Sequence, residues 1–233
     1  MIENRRRPWR TALRAAGWVV LLFVVGTTAM VAALRWVDPP TSAFMIRHAI
    51  VTDTPPRHHW VDRTAVSDWA ALAVIASEDQ RFPNHHGFDL GAIAEALKEY
   101  DRGEGLRGAS TISQQVAKNL FLWPGRNFIR KGLEAWFTVL IELFWSKGRI
   151  LEVYLNVAQF GPDTFGVGTA SSEFFGISAA RLDRYRAALL AAVLPNPDDL
   201  HAAAPSDYLI QRQYWILRQM RSLGGRSYLP SSW

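Results

Sequence analysis

Glu78 and Asp79 stand where a helix should end. The apolar run from Trp69 to Ile75 reads as a buried helix opened by Ser67 or Asp68, and the two acids follow it directly. The C-terminus of a helix carries the negative pole of the macrodipole, so an acid placed there is electrostatically unfavourable. An apolar helix before it and a second acid beside it would also raise the pKa of such a carboxylate. The segment continues Gln80-Arg-Phe-Pro-Asn-His-His-Gly87, bringing two imidazoles close in sequence to the two acids. Glu78, Asp79, His85 and His86 are metal-ligand types, but their spacing matches no zinc pattern.

A second group follows in Ser110-Thr-Ile-Ser-Gln-Gln-Val-Ala-Lys-Asn119, after the glycines of 103–108. Thr111 with Gln114 fits a capping box opening a helix. Ile112, Val116 and Leu120 form its apolar stripe, and Thr111, Gln115 and Lys118 fall on another face. A hydroxyl, an amide and a cation in one column suit a phosphate or a sugar; the same spacing also describes an ordinary solvated face. In the next segment Arg130 and Glu134 form an i, i+4 pair with Lys131 alongside. Glu142 lies among Trp136, Phe137, Leu140 and Phe144, and must be paired or altered in its ionisation. Further on, Ile150, Val153 and Tyr154 face the core while Glu152 and Asn156 share another face, a spacing that ties helices together.

The elements that position these residues are helices. The periodicity predicts them over 67–78, 89–101, 111–122, 127–145, 147–158, 168–176, 182–194 and 206–223, with Ala49-Ile-Val51 as the one short strand. The chain has 233 residues and is 49% hydrophobic, enough for a real core and outside the disordered range. It has no cysteine, which excludes a disulfide framework and a thiolate nucleophile. Its net charge of +5 points to an anionic partner. Much of that charge is Arg5, Arg6, Arg7, Arg10 and Arg14, beside the uncharged run from Ala15 to Leu34, so nucleic acid is not the expected partner. That run is long enough to cross a bilayer. The arginines before it predict a cytoplasmic N-terminus, and the run is longer than the apolar core of a cleaved signal. The expected organisation is a basic cytoplasmic tail over 1–14, a transmembrane helix over 15–36, a membrane-proximal neck over 37–66, broken by Asp38-Pro-Pro and Thr54-Pro-Pro, and one mostly α domain over 67–233.

Five blocks, in order, resemble the glycosyltransferase domain of peptidoglycan polymerases, shared by monofunctional biosynthetic transglycosylases and class A penicillin-binding proteins. They are Glu78-Asp-Gln-Arg-Phe82 with His85 and Gly87; Gly108-Ala-Ser-Thr-Ile-Ser-Gln-Gln-Val-Ala-Lys-Asn119; Arg130-Lys-Gly-Leu-Glu134; Arg149-Ile-Leu-Glu-Val-Tyr-Leu-Asn156; and Leu189-Leu-Ala-Ala-Val-Leu-Pro-Asn-Pro197. No Ser-x-x-Lys or Lys-Thr-Gly occurs, so the resemblance is to the monofunctional kind and no transpeptidase activity is expected. Two positions depart from the family pattern: Arg186 stands where an acid is usual, and Ile177 where a lysine follows the aromatic-Phe-Gly turn.

The resemblance implies a lysozyme-like helical domain that polymerises lipid II into glycan strands, inverting the anomeric carbon and releasing polyprenyl pyrophosphate. Glu78 matches the family's catalytic glutamate and Glu134 its second essential one. Lys118, Arg130 and Lys131 would neutralise the pyrophosphate. Ser110, Thr111, Gln114, Gln115 and Asn119 would hold sugar or phosphate. Phe82, Arg149, Glu152 and Asn156 complete the expected substrate-binding set; Asp79 and His85, also in it, more readily shape the Glu78 loop. No cofactor is obligatory, although Mg2+ or Mn2+ held by Glu78 and the pyrophosphate is the metal this chemistry admits. Expected partners are lipid II, the growing glycan, membrane lipid, and division or elongation proteins. The expected location is the bacterial inner membrane, with the catalytic domain outside the cytoplasm. Two rivals are a lytic glycan-cleaving enzyme, which would have no pyrophosphate for the cation cluster to hold, and a non-catalytic cell-wall scaffold.

Overall fold

The computed structural model describes residues 8–102, 110–125 and 127–233. Most of the basic tail and the glycine-rich loop over 103–109, with Gly108 of the second block, therefore lie outside the described residues. Ten helices are described: α1 Pro8–Ala33, α2 Ala43–Thr52, α3 Asp68–Glu78, α4 Leu90–Asp101, α5 Ile112–Phe121, α6 Phe128–Phe144, α7 Lys147–Val157, α8 Val167–Phe175, α9 Arg184–Val193 and α10 Asp207–Ser222. Two short strands, β1 Arg57–His58 and β2 Thr164–Phe165, pair in parallel. The mostly α fold is as the periodicity predicts, and each expected helix is present.

Local chemistry sets the boundaries. Ser67 caps α3 by accepting from the Trp69 amide, and Thr111 with Gln114 forms the full capping box of α5. Asn127, Ser146, Asp183 and Ser206 cap α6, α7, α9 and α10 in the same way. Gly176 ends α8 at φ 64°, a left-handed conformation that costs glycine little. The core is where α3, α5, α7 and α9 meet, with Leu72, Ile75, Ile112, Ile150, Leu151 and Leu190 buried within it.

The expected strand Ala49-Ile-Val51 is instead part of α2. Ser42 caps that helix, Met45 is buried, and Ile46, Ile50 and Val51 stay exposed. A short apolar run does not fix its own period, and here the cap and the anchoring Met45 decide for helix. The residues between the first helix and α3 are also tied closely to the domain. Val61 donates to and accepts from Asn156, the Arg63 amide donates to Glu152, and β1 pairs with β2.

The segment Thr11–Ala33 is long and apolar enough to cross a membrane. Its C-terminal half packs on α6: Trp136 Nε1 donates to Thr27 at 3.2 Å, and Trp145 Nε1 donates to the Val31 carbonyl at 2.7 Å. Arg149 extends this junction, donating to the Leu34 and Val37 carbonyls and to Asp38 at 2.7 Å.

Candidate active site

Glu78 is the last residue of α3 and lines a cavity of about 580 Å³. The walls include Ser77, Asp79, Arg81, Asp89 and Glu95 from α3, the loop after it and α4; Ser110, Thr111 and Gln115 come from the start of α5. Pro195, Arg212 and Trp215 close the far side. Two donors hold the Glu78 carboxylate. The Ser77 hydroxyl lies 3.0 Å from one oxygen, and the Gln115 amide nitrogen 2.9 Å from the other. With each oxygen fixed by one donor, the carboxylate is oriented while keeping lone pairs free for a proton.

The loop behind it is fixed by Asp79 and His85. His85 Nδ1 accepts from the Gly87 amide, so Nε2 carries the proton and faces both Asp79 oxygens at 2.9 and 3.0 Å. Asp79 also accepts from the Ile112 amide at 3.0 Å, pinning the loop after α3 to the first turn of α5. Thr111 donates to the Gly87 carbonyl at 2.6 Å and closes the same loop. Asp79 and His85 thus shape the loop. Phe82 is fully buried, with the Lys147 ammonium 4.5 Å from its ring centre.

A second polar cluster joins α5 to α6. Glu134 is buried and receives Arg130 at 2.6 Å and Lys131 at 2.5 Å. Lys118 is coupled to this pair and also to Glu78. Burial lowers its ammonium below the ordinary lysine value, Arg130 and Lys131 push the same way, and Glu134 and Glu78 oppose them. Asn119 Oδ1 and Arg130 Nε are buried there without hydrogen-bond partners among the described residues. Glu142 is paired, receiving Lys147 at 2.8 Å and the Ser113 hydroxyl.

Of the sixteen residues singled out in the sequence, the fold therefore gathers Glu78, Asp79, Ser110, Thr111 and Gln115 on one cavity. Lys118, Asn119, Arg130, Lys131 and Glu134 form the neighbouring cluster. Gln114 is turned inward by its capping box, and Phe82 is in the core. Arg149, Glu152 and Asn156 use their polar groups on the chain between α1 and α3; Asn156 is fully buried, so a ligand has no access to it.

The transglycosylase family model matches residues 46–221, which hold both clusters. The chain belongs to the transglycosylase family. It is 52% identical over 224 residues to a protein of Pseudomonas putida named biosynthetic peptidoglycan transglycosylase, covering 94% of this chain and 95% of that one. A relative of the same name in Shewanella oneidensis is 51% identical over 209 residues, covering 88% and 90%. One in Xanthomonas campestris is 48% identical over 238 residues, covering 98% and 97%.

On this transglycosylase scaffold, two wall residues escape a motif reading. Arg212 stacks 4.1 Å from the ring centre of Trp215, and its guanidinium reaches the Ser77 carbonyl at 3.4 Å. Both lie on α10, outside the five blocks that carry the resemblance. An arginine three residues before a tryptophan was the one available signal. Arg186, the departure from the family pattern, bonds Asp183 at the exposed start of α9, and Ile177 packs against the core. No group of three or more carboxylates and imidazoles that could hold a metal is present among the described residues. Asp79 and His85 satisfy one another, so among the described residues Glu78 has no protein partner for a metal cage, and those residues do not fit a protein-built cation site.

Proposed function

We propose that this chain is a monofunctional peptidoglycan glycosyltransferase that polymerises lipid II. Glu78 removes the proton from the 4-hydroxyl of an incoming lipid II. The freed oxygen attacks the anomeric carbon of the growing chain and forms the β-glycosidic bond. The bond from that carbon to the pyrophosphate breaks on the opposite side, its electron pair leaving on the pyrophosphate oxygen. Lys118, Arg130 and Lys131 stabilise the charge that develops there, and Glu134 fixes Arg130 and Lys131 in place. Ser110, Thr111 and Gln115 are placed to hold the sugars.

What supports this reading is one juxtaposition: a carboxylate with free lone pairs in an open cavity, electrostatically coupled to a half-buried lysine in a cation cluster. A hydrolase acting on a neutral glycosidic bond has no use for that cluster. The name these relatives carry agrees with it. The apolar segment Thr11–Ala33 then serves as an inner-membrane anchor with a cytoplasmic N-terminus, which holds the catalytic domain beside its lipid-linked substrate.

Detergent-solubilised protein incubated with labelled lipid II tests the reading, with Glu78→Gln in parallel. Glycan polymer from the wild type and none from the variant is expected. Equal polymer from both removes Glu78 from its role. A folded wild type that makes none favours a scaffold, and shortening of preformed glycan favours a lytic enzyme.

A further inference from the structure

Tyr154 lies on α7, away from the residues a substrate can reach, with its side chain almost wholly buried. Its hydroxyl lies 3.2 Å from Gln115 Oε1, and Gln115 Nε2 in turn lies 2.9 Å from Glu78 Oε2. The polarity of this chain is forced. An ionised carboxylate only accepts, so the Gln115 amide must present its nitrogen to Glu78. The amide oxygen then faces inward, and the one hydrogen available there belongs to Tyr154. Burial, with the charges of Glu78 and Asp79 adding to it, raises the phenol well above its ordinary value, so it stays a donor wherever the enzyme works.

We propose that Tyr154 is a positioning residue for the transfer reaction: through Gln115 it fixes the orientation of the Glu78 carboxylate. Without the phenol, nothing described prevents the amide from turning its oxygen toward Glu78, where two acceptors repel. Gln115 is half-exposed on the cavity wall and has no other described partner for its side chain. The Ser77 hydroxyl, on the other carboxylate oxygen, cannot replace this hold, because one hydrogen bond leaves the group free to rotate about it. The inference rests on Glu78 being the base.

The test compares wild type, Tyr154→Phe, Gln115→Leu, the double variant and Gln115→Asn, with Glu78→Gln as a control, in lipid II polymerisation across pH. Tyr154→Phe keeps the buried ring and removes one oxygen, and thermal unfolding in detergent checks that it folds. It should lower kcat about tenfold, in line with the cost of misplacing a reacting group. The acidic limb of its kcat profile should move to higher pH, since a carboxylate that loses a donor holds its proton more tightly. Gln115→Asn, which leaves Tyr154 in place and withdraws the amide, should move the same limb. On the Gln115→Leu background, Tyr154→Phe should have no further effect on kcat. Wild-type kcat in Tyr154→Phe, an unmoved acidic limb in either single variant, or effects that multiply in the double variant would overturn the proposal. Activity retained by Glu78→Gln would instead overturn the reading of the base itself.

Discussion

The phenol of Tyr228 donates a 2.7 Å hydrogen bond to the backbone carbonyl of Gln80, two residues beyond the proposed base. It also receives the Asn84 amide at 3.2 Å, so the end of the chain braces both sides of the loop that follows α3. This brace lies beyond residues 46–221 matched by the family model. Tyr228→Phe should cost about 1 kcal/mol, the usual net value of a hydrogen bond. It should speed amide exchange across residues 80–84 and lower kcat several-fold. Unchanged exchange in that loop would show that other contacts hold it.

Asp79 answers two donors at once, His85 and the Ile112 amide, in a setting where its side chain is 3% exposed. Asp79→Ala leaves both donors without their acceptor in a dry interior. The expected loss is about 3–5 kcal/mol, read as a lower urea midpoint in detergent. A loss below about 1 kcal/mol, the value of one ordinary hydrogen bond, would mean that water takes over the role.

Glu134 and Arg130 are both buried, so each depends on the other more than either depends on solvent. Arg130→Ala strands a buried carboxylate with Lys131 alone and should destabilise by about 3 kcal/mol or more. Removing both partners should cost less than the two single losses added together. Additive losses in urea titrations of the four proteins would show the two side chains to be energetically independent.

Lys118 carries a pH prediction whose sign follows from its environment. Burial lowers its ammonium, with Arg130 and Lys131 acting in the same direction, so as pH rises it loses its charge earlier than an ordinary lysine. The KM for lipid II should therefore climb on the alkaline side, because the cation proposed to meet the pyrophosphate is the species lost. Lys118→Arg stays charged throughout, and its rise should move to higher pH. Superimposable alkaline limbs for the two proteins would assign the effect to another group.

The sequence by itself determined the helices from α3 onward, because Ser67, Thr111 with Gln114, Asn127, Ser146 and Ser206 write the caps locally and the apolar period does the rest. It also determined the Arg130–Glu134 pair with Lys131, since residues three and four apart must meet on a helix. An acid at the wrong end of α3 was legible locally, and the family resemblance made it the candidate base. The tertiary structure alone decided which of the marked residues share a space. Gln115 reaches Glu78 from 37 positions away, and Tyr154 reaches Gln115 from 39. Arg212 and Trp215 join the cavity from α10, which carries none of the five motif blocks. Arg149, Glu152 and Asn156 show the reverse: the family resemblance put them in the substrate set, and only the fold reveals that they bind the chain joining α1 to α3. The division has one physical cause. Caps, periods and i, i+4 pairs are set by backbone geometry within a turn or two, whereas a cavity wall is set by which helix faces bury against one another, and no local spacing encodes that.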